Sequence, residues 1–407
     1  MNRAPLIDPV DPPHTSPDRP DRGLAPAVSV MAAVFLAFLM IGMAMPVLPL
    51  HVHDVLGFGP FVVGLVAGGQ FLASLLSRLW AGRLTDTRGP KRAMILGLIA
   101  GALGGGCYLA SLVFLATPVW SVALLLVGRT LLGGAESLII TSGMLWGLAL
   151  VAADRSAKVI AWVGMAMFAA MAVGAPIGSA IYEHFAFAGI AVASTIIPLA
   201  ALTVIMPLRA LIPATAPKGN VRTVLSAVLL PGLGFALSGV TFGSMTAFLT
   251  LYFSVEGWAH GALAFSLFAV ALIVARIVGG HLPDRHGGAR VAGICLFGQA
   301  AGLLVIATAP SATVAMLGAV IAGAGFSLVF PSLGLEAVRR APAANRGMAM
   351  GLYNAFLDLT LGLGSPALGL LAGQAGLGSV FLASAVAAIV AVPIAWRLLP
   401  RGGRPLL

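Results

Sequence analysis

Charge is what this chain has least of. Of its 407 residues only 9% are Asp, Glu, Lys or Arg, while 59% are hydrophobic. A soluble protein carries about 25% charge. So few charges cannot cover a water-facing surface, and the expected solvent for most of the chain is lipid. Cysteine is nearly absent too. Cys107 and Cys295 lie inside apolar runs and read as buried thiols, which excludes a disulfide framework. His51, His53, His184 and His260 have no regular ligand spacing, so no metal site is expected. Every His falls in or next to a break between apolar segments, and neither Cys has a basic neighbour. An enzyme is therefore not expected, and no cofactor. No break is long enough to hold a soluble sensor domain. Residues 1–26 are rich in Pro, Asp and Arg and lack an apolar core. They read as a disordered cytoplasmic tail, not a cleavable signal peptide.

Glycine, by contrast, is plentiful at 51 residues, and in membranes it lets helix backbones approach closely. Apolar segments of spanning length follow one another near 27–50, 60–81, 93–115, 119–148, 157–181, 187–208, 225–253, 259–281, 290–309, 312–337, 346–373 and 377–399. Each can cross a hydrocarbon core of roughly 30 Å, and backbone satisfaction in lipid makes them helices. The breaks alternate in charge. Those around 51–59, 116–118, 182–186, 254–258, 310–311 and 374–376 hold no Lys or Arg, only Asp54, Glu183 and Glu256 with three of the histidines. The other set and both termini hold nearly every basic residue. This positive-inside pattern places both ends in the cytoplasm. It also explains the net charge of +10 without a nucleic-acid partner.

Two stretches 198 positions apart repeat one another. Arg78, Gly82, Leu84, Asp86, Gly89 and Arg92 recur as Arg276, Gly280, Leu282, Asp284, Gly287 and Arg290. Downstream, Gly133, Ser137, Gly174 and Pro176 recur 190 positions later as Gly323, Ser327, Gly364 and Pro366. The reading is an all-α integral membrane protein of twelve transmembrane helices in two pseudo-symmetric six-helix bundles, 27–208 and 223–399. A cytoplasmic linker, 209–222, joins them, and a short tail, 400–407, ends the chain. The charged repeat, with Gly82, Asp86, Arg88, Gly89, Lys91 and Arg92 and then Gly280, Asp284, Arg285 and Gly287, resembles the cytoplasmic loop motif of the major facilitator superfamily. In this chain Thr87 displaces the arginine by one and Pro90 stands at a usually basic position. The stretches Pro46–His53, Gly128–Ser137, Trp146–Leu148 and Ala355–Gly362 resemble the bacterial YhhS/YfcJ-type branch, whose members carry sugar-efflux labels. The resemblance implies a multi-pass inner-membrane transporter that rocks one bundle against the other, with the repeated motif as a cytoplasmic gate. Its expected partners are a small-molecule substrate, protons and the lipid bilayer, and a monomer is expected.

Charges inside apolar spans are the candidate machinery, since each costs on the order of 3 kcal/mol at mid-bilayer. Arg129 and Glu136 stand seven apart on the fourth span and should share a face, close enough to interact directly or through water. Asp358 lies in the eleventh. Low dielectric disfavours a charged carboxylate, so Glu136 and Asp358 are read as proton carriers modulated by Arg129. The resemblance also implies a coupling role for Arg129. The polar in-span residues Gln70, Gln299, Tyr353 and Asn354 are candidate substrate-cavity groups, or alternatively join helices. Asp86 and Asp284 are expected to cap helix N-termini. Pro46, Pro49, Gly174, Pro176 and Gly178 read as kink or packing positions. The Gly174–Gly178 segment also resembles an exporter signature. The functional expectation is proton-coupled efflux of a small polar organic solute such as a sugar, or of drugs; the alternative is proton-coupled symport for uptake of a small sugar or organic acid, and the alternative of another class is a membrane-embedded enzyme or sensor.

Overall fold

A computed structural model describes residues 24–150, 156–210, 221–342 and 345–399. The expected tails and linker therefore lie largely outside the described residues, at 1–23, 211–220 and 400–407. The described elements are helices: α1 (Leu24–Ala44), α2 (Leu48–Leu50), α3 (Pro60–Arg88), α4 (Pro90–Ser111), α5 (Pro118–Leu150), α6 (Ser156–Ile205), α7 (Val221–Val255), α8 (Gly261–Gly279), α9 (Leu282–His286), α10 (Gly288–Ala307), α11 (Ala312–Arg340), α12 (Arg346–Ala375) and α13 (Gly378–Arg397).

Among the described residues these helices form twelve spans, with α6 counted as two. The first bends at Met45–Val47, where Pro46 denies the helix a backbone donor, and resumes through α2 with Pro49 in its first turn. The fifth and sixth are the two legs of α6, which folds back at Ala186 with φ 50 and ψ −154. The expected break at 182–186 is thus a single residue, because Tyr182–Phe185 contains no helix breaker. Large apolar side chains cover the outside: Leu76, Leu79, Ile277 and Val278 are each about 70% exposed. Water would not tolerate that surface, and a bilayer solvates it.

In the N-terminal half α1 packs on α6, and α5 lies between α3 and α4. In the C-terminal half α7 packs on α12 and α13, and α11 lies between α8 and α10. The halves repeat each other in contact detail. The Ser137 hydroxyl donates to the Ser74 carbonyl at 2.6 Å, and the Ser327 hydroxyl donates to the Leu272 carbonyl at 2.6 Å. A Cβ on Gly133 would stand 2.1 Å from the Gln70 carbonyl oxygen, and one on Gly323 would stand 2.3 Å from that of Phe268. Both correspondences run at offsets of 190 and 198 residues, those of the sequence repeat.

Two seams join the halves: α3 against α12, and α6 against α8. Along the first, α3 and α12 run antiparallel and touch throughout. Gly369 meets Pro60, Gly64 meets Ser365, Gly68 meets Gly362, and Arg78 meets Asp358. At Gly64 a Cβ would fall 2.2 Å from the Ser365 carbonyl oxygen, so only glycine permits this approach.

Candidate functional site

Three charged residues of the spans, Arg78, Glu136 and Asp358, collect on the α3–α12 seam. One stripe of α3, Gln70, Ser74 and Arg78, repeats every four residues and so faces one direction. From α12, Asp358 reaches this stripe. Arg78 donates to its Oδ2 from Nε at 3.0 Å and also from Nη2, and the Ser74 hydroxyl lies 3.4 Å from the same oxygen. From α5, Glu136 accepts from Gln70 Nε2 at 2.7 Å, and Ser137 bonds to the Ser74 backbone. Glu136 and Asp358 are buried, at 7% and 4% exposure. The result is a line of polar groups one turn apart, from Glu136 and Gln70 through Ser74 to the ion pair, with the pair spanning the two halves.

Among the described residues Arg129 and Glu136 share no direct hydrogen bond or ion pair. Arg129 turns to the α3 backbone, donating from Nε to the Val66 carbonyl at 2.9 Å and from Nη2 to that of Ala67 at 2.7 Å. The reason is the i, i+7 rise of about 10 Å, which lets each side chain find its own level on α3. Arg129 lines a small cleft between the halves, with room for about one water, together with Met45, Pro49, Phe71 and Thr246.

Of the candidate cavity groups, Gln299 and Tyr353 take the alternative role of joining helices. Gln70 holds Glu136. Gln299 exchanges hydrogen bonds with Ser238, donating to its carbonyl at 2.9 Å and accepting from its hydroxyl at 2.8 Å, and so clamps α10 to α7. Tyr353 is fully buried, donates to the Phe330 carbonyl at 3.0 Å and stacks on Phe235. Asn354 is half-buried and makes no hydrogen bond among the described residues, so Asp358 is held by Arg78 and Ser74, not by Asn354. Gln299 and Tyr353 are paired across helices, as expected where an unpaired polar atom in lipid is costly.

The charged repeat also differs from expectation. Helix α3 continues through Gly82, Asp86 and Arg88 and stops only at Gly89, with φ 84. In the second copy Pro283 stands where the first has Thr85, so α8 ends early at Gly279, and α9 carries Asp284 and Arg285 to Gly287, with φ 86. Asp86 therefore sits at the C-terminal end of α3, and neither α4 nor α10 has a side-chain cap. Arg88, Arg92, Asp284 and Arg285 are exposed. Lys91 donates from Nζ to the Met206 and Leu208 carbonyls, each at 2.6 Å, capping the end of α6 within its own half. Gly174 and Gly178 admit α1: a Cβ would stand 2.9 Å from the Leu39 oxygen and 2.2 Å from that of Met43. Pro176 lies between them inside α6. At the far end, His51 stacks on Phe187 and His53 bonds the Phe58 carbonyl.

Sequence reasoning missed Ser74 and the partnership of Arg78. The signal available was the four-residue spacing of Gln70, Ser74 and Arg78.

Among the described residues, twelve membrane-length spans in two like halves, counting α6 as two, with a polar contact crossing between the halves, define a multi-pass membrane transporter. The model of the major facilitator superfamily matches residues 30–264 and 259–406. An uncharacterized MFS-type transporter of Salmonella typhimurium is 40% identical over 370 residues, 91% of this chain and 95% of the relative. One of Burkholderia mallei is 40% identical over 380 residues, 93% of each. Among solved structures, a D-xylose-proton symporter superposes with TM-score 0.74 at 14% identity, covering 92% of this chain and 98% of that one. A nucleoside transporter superposes with TM-score 0.72 at 16% identity, covering 92% and 100%. The chain belongs to the major facilitator superfamily.

Proposed function

We propose that the protein is a proton-coupled antiporter that exports a small organic solute, such as a sugar or a drug, from the cytoplasm of a bacterial cell across its inner membrane. The observation that carries this reading is the Arg78–Asp358 ion pair between the halves, backed through Ser74 by the Gln70–Glu136 bond. A proton on Asp358 removes the charge that holds Arg78, and the α3–α12 seam loosens. A proton on Glu136 weakens its bond to Gln70 one turn away. Arg129, two turns from Glu136 on α5, supplies a further fixed positive charge. An ion pair of this kind gates by differential stabilisation of one state, and a few kcal/mol suffices to shift a two-state equilibrium. The glycine-bearing Gly174–Gly178 segment against α1 inclines the reading toward export.

The test uses sealed inside-out vesicles that hold a proton gradient, read by a pH dye and challenged with a panel of sugars and amphiphilic drugs. The wild type is expected to dissipate the gradient with its solute, and Asp358→Asn to lose at least tenfold of that rate. No response across the panel, with the protein verified in the membrane, would remove antiport of these solutes and make uptake by symport the leading reading.

A further inference from the structure

The two seams between the halves are mates under the internal repeat, and they are furnished differently. By the offsets of 198 and 190, Arg78 of α3 corresponds to Arg276 of α8, and Asp358 of α12 corresponds to Phe168 of α6. Arg78 meets a carboxylate. Arg276 meets a ring: its guanidinium carbon lies 4.6 Å from the centroid of Phe168 and 5.9 Å from that of Phe330. The same contrast holds one level away. The Gln70–Glu136 bond on one side has as its mate the Phe268–Phe326 contact on the other, with ring centroids 6.4 Å apart.

Arg276 is therefore a cation in an aromatic wall. It makes one hydrogen bond, from Nη2 to the Ser327 carbonyl at 2.9 Å, and its Nε is buried without a partner. Among the described residues no carboxylate pairs with it. A guanidinium presents its face to rings and its edge, with the N–H groups in plane, to carboxylates. The face of Arg276 is taken, and along its edge only Nη2 has a partner. An apolar residue would pack this seam without the cost of desolvating an unpaired cation.

We infer that Arg276 is a binding site for the carboxylate of the transported solute, whose apolar or aromatic body packs against Phe168 and Phe330. The solute's carboxylate then holds the position on the α6–α8 seam that Asp358 holds on the α3–α12 seam. This inference rests on the transport reading above and narrows the solute to a monocarboxylate in place of a neutral sugar.

The purified full-length protein in detergent is titrated with benzoate and with benzamide, its neutral isostere, while thermal unfolding is followed. Benzoate is expected to raise the melting temperature and benzamide to leave it unchanged. Arg276→Gln should raise the apparent Kd for benzoate by roughly tenfold or more, the scale set by losing one charge-assisted contact. Phe168→Asp places the protein's own carboxylate beside Arg276. It should block benzoate and raise the melting temperature in its absence, and it serves as the probe if Arg276→Gln fails to fold. Equal shifts from the two ligands, no shift from either, or unchanged benzoate binding in the variants would overturn the assignment. Binding is read here without a gradient, so that result would leave proton coupling standing. Benzoate binding that persists while Asp358→Asn transports as wild type would overturn proton coupling alone.

Discussion

Asp358 is held by one arginine and one serine from the other half of the molecule, all on a single oxygen. Removing Arg78 alone leaves a carboxylate at 4% exposure without its counter-charge. Breaking a buried pair this way costs about 3 kcal/mol, whereas removing both charges leaves nothing unpaired. Arg78→Ala is thus expected to lower the melting temperature in detergent clearly, and Arg78→Ala with Asp358→Asn to recover most of the loss. A double variant no more stable than the single one would show that the pair does not hold the seam. At this scale the sequence made the charged residues visible, because a charge in an apolar run stands out in one dimension. It did not reveal their partners. Arg78 and Asp358 are 280 positions apart, and the seven-residue spacing of Arg129 and Glu136 gave a shared face but not the Gln70 and α3 backbone groups that each bonds.

Helices α3 and α12 can lie so close only where side chains are missing. Gly64→Ala drives a methyl into the Ser365 carbonyl, 2.2 Å away. Overpacking of this kind costs about 2 kcal/mol and should also slow transport by spreading the seam. Gly106, on α4, has no atom within 4 Å of its missing Cβ. There alanine should be neutral or stabilise by up to about 1 kcal/mol, since it removes only backbone freedom of the unfolded chain. Comparing the two melting temperatures separates close approach from helix propensity; equal shifts would mean that the seam is looser than the geometry requires. The elements themselves were legible as twelve apolar lengths, and their ends less so. The charged stretch of 82–88 looked like a turn, yet it is helix, because its polar residues contain no breaker before Gly89. Thr85 and Thr87 return their hydroxyls to the Ala81 and Arg83 carbonyls and stay helical. In the second copy Pro283 supplies the break that the first copy lacks.

For the whole molecule, an even number of spans in each half carries a consequence for charge. Both copies of the basic stretch fall at the same end of the bundle, so their bias on orientation adds and does not cancel. That end holds Arg83, Arg88, Lys91 and Arg92 from one copy and Arg285 and Arg290 from the other, while the opposite end holds Asp54, Glu183 and Glu256. The proposed orientation puts the basic end in the cytoplasm. Replacing Cys107 and Cys295, the only two cysteines, leaves a background on which single cysteines can be placed at Glu256 and at Arg88, both exposed. In intact cells an impermeant maleimide should label position 256 at least tenfold more than position 88, and the two should become equal once the membrane is opened. The opposite ratio would invert the molecule. The consequence reaches the mechanism, because Arg78 lies ten residues from Arg88 along α3, on the basic side of the Gly64 contact. With that side cytoplasmic, a proton that loosens the Arg78–Asp358 pair opens a path toward the compartment from which an exporter must load. Inverted, the same loosening would open the outer face, and the same residues would favour uptake.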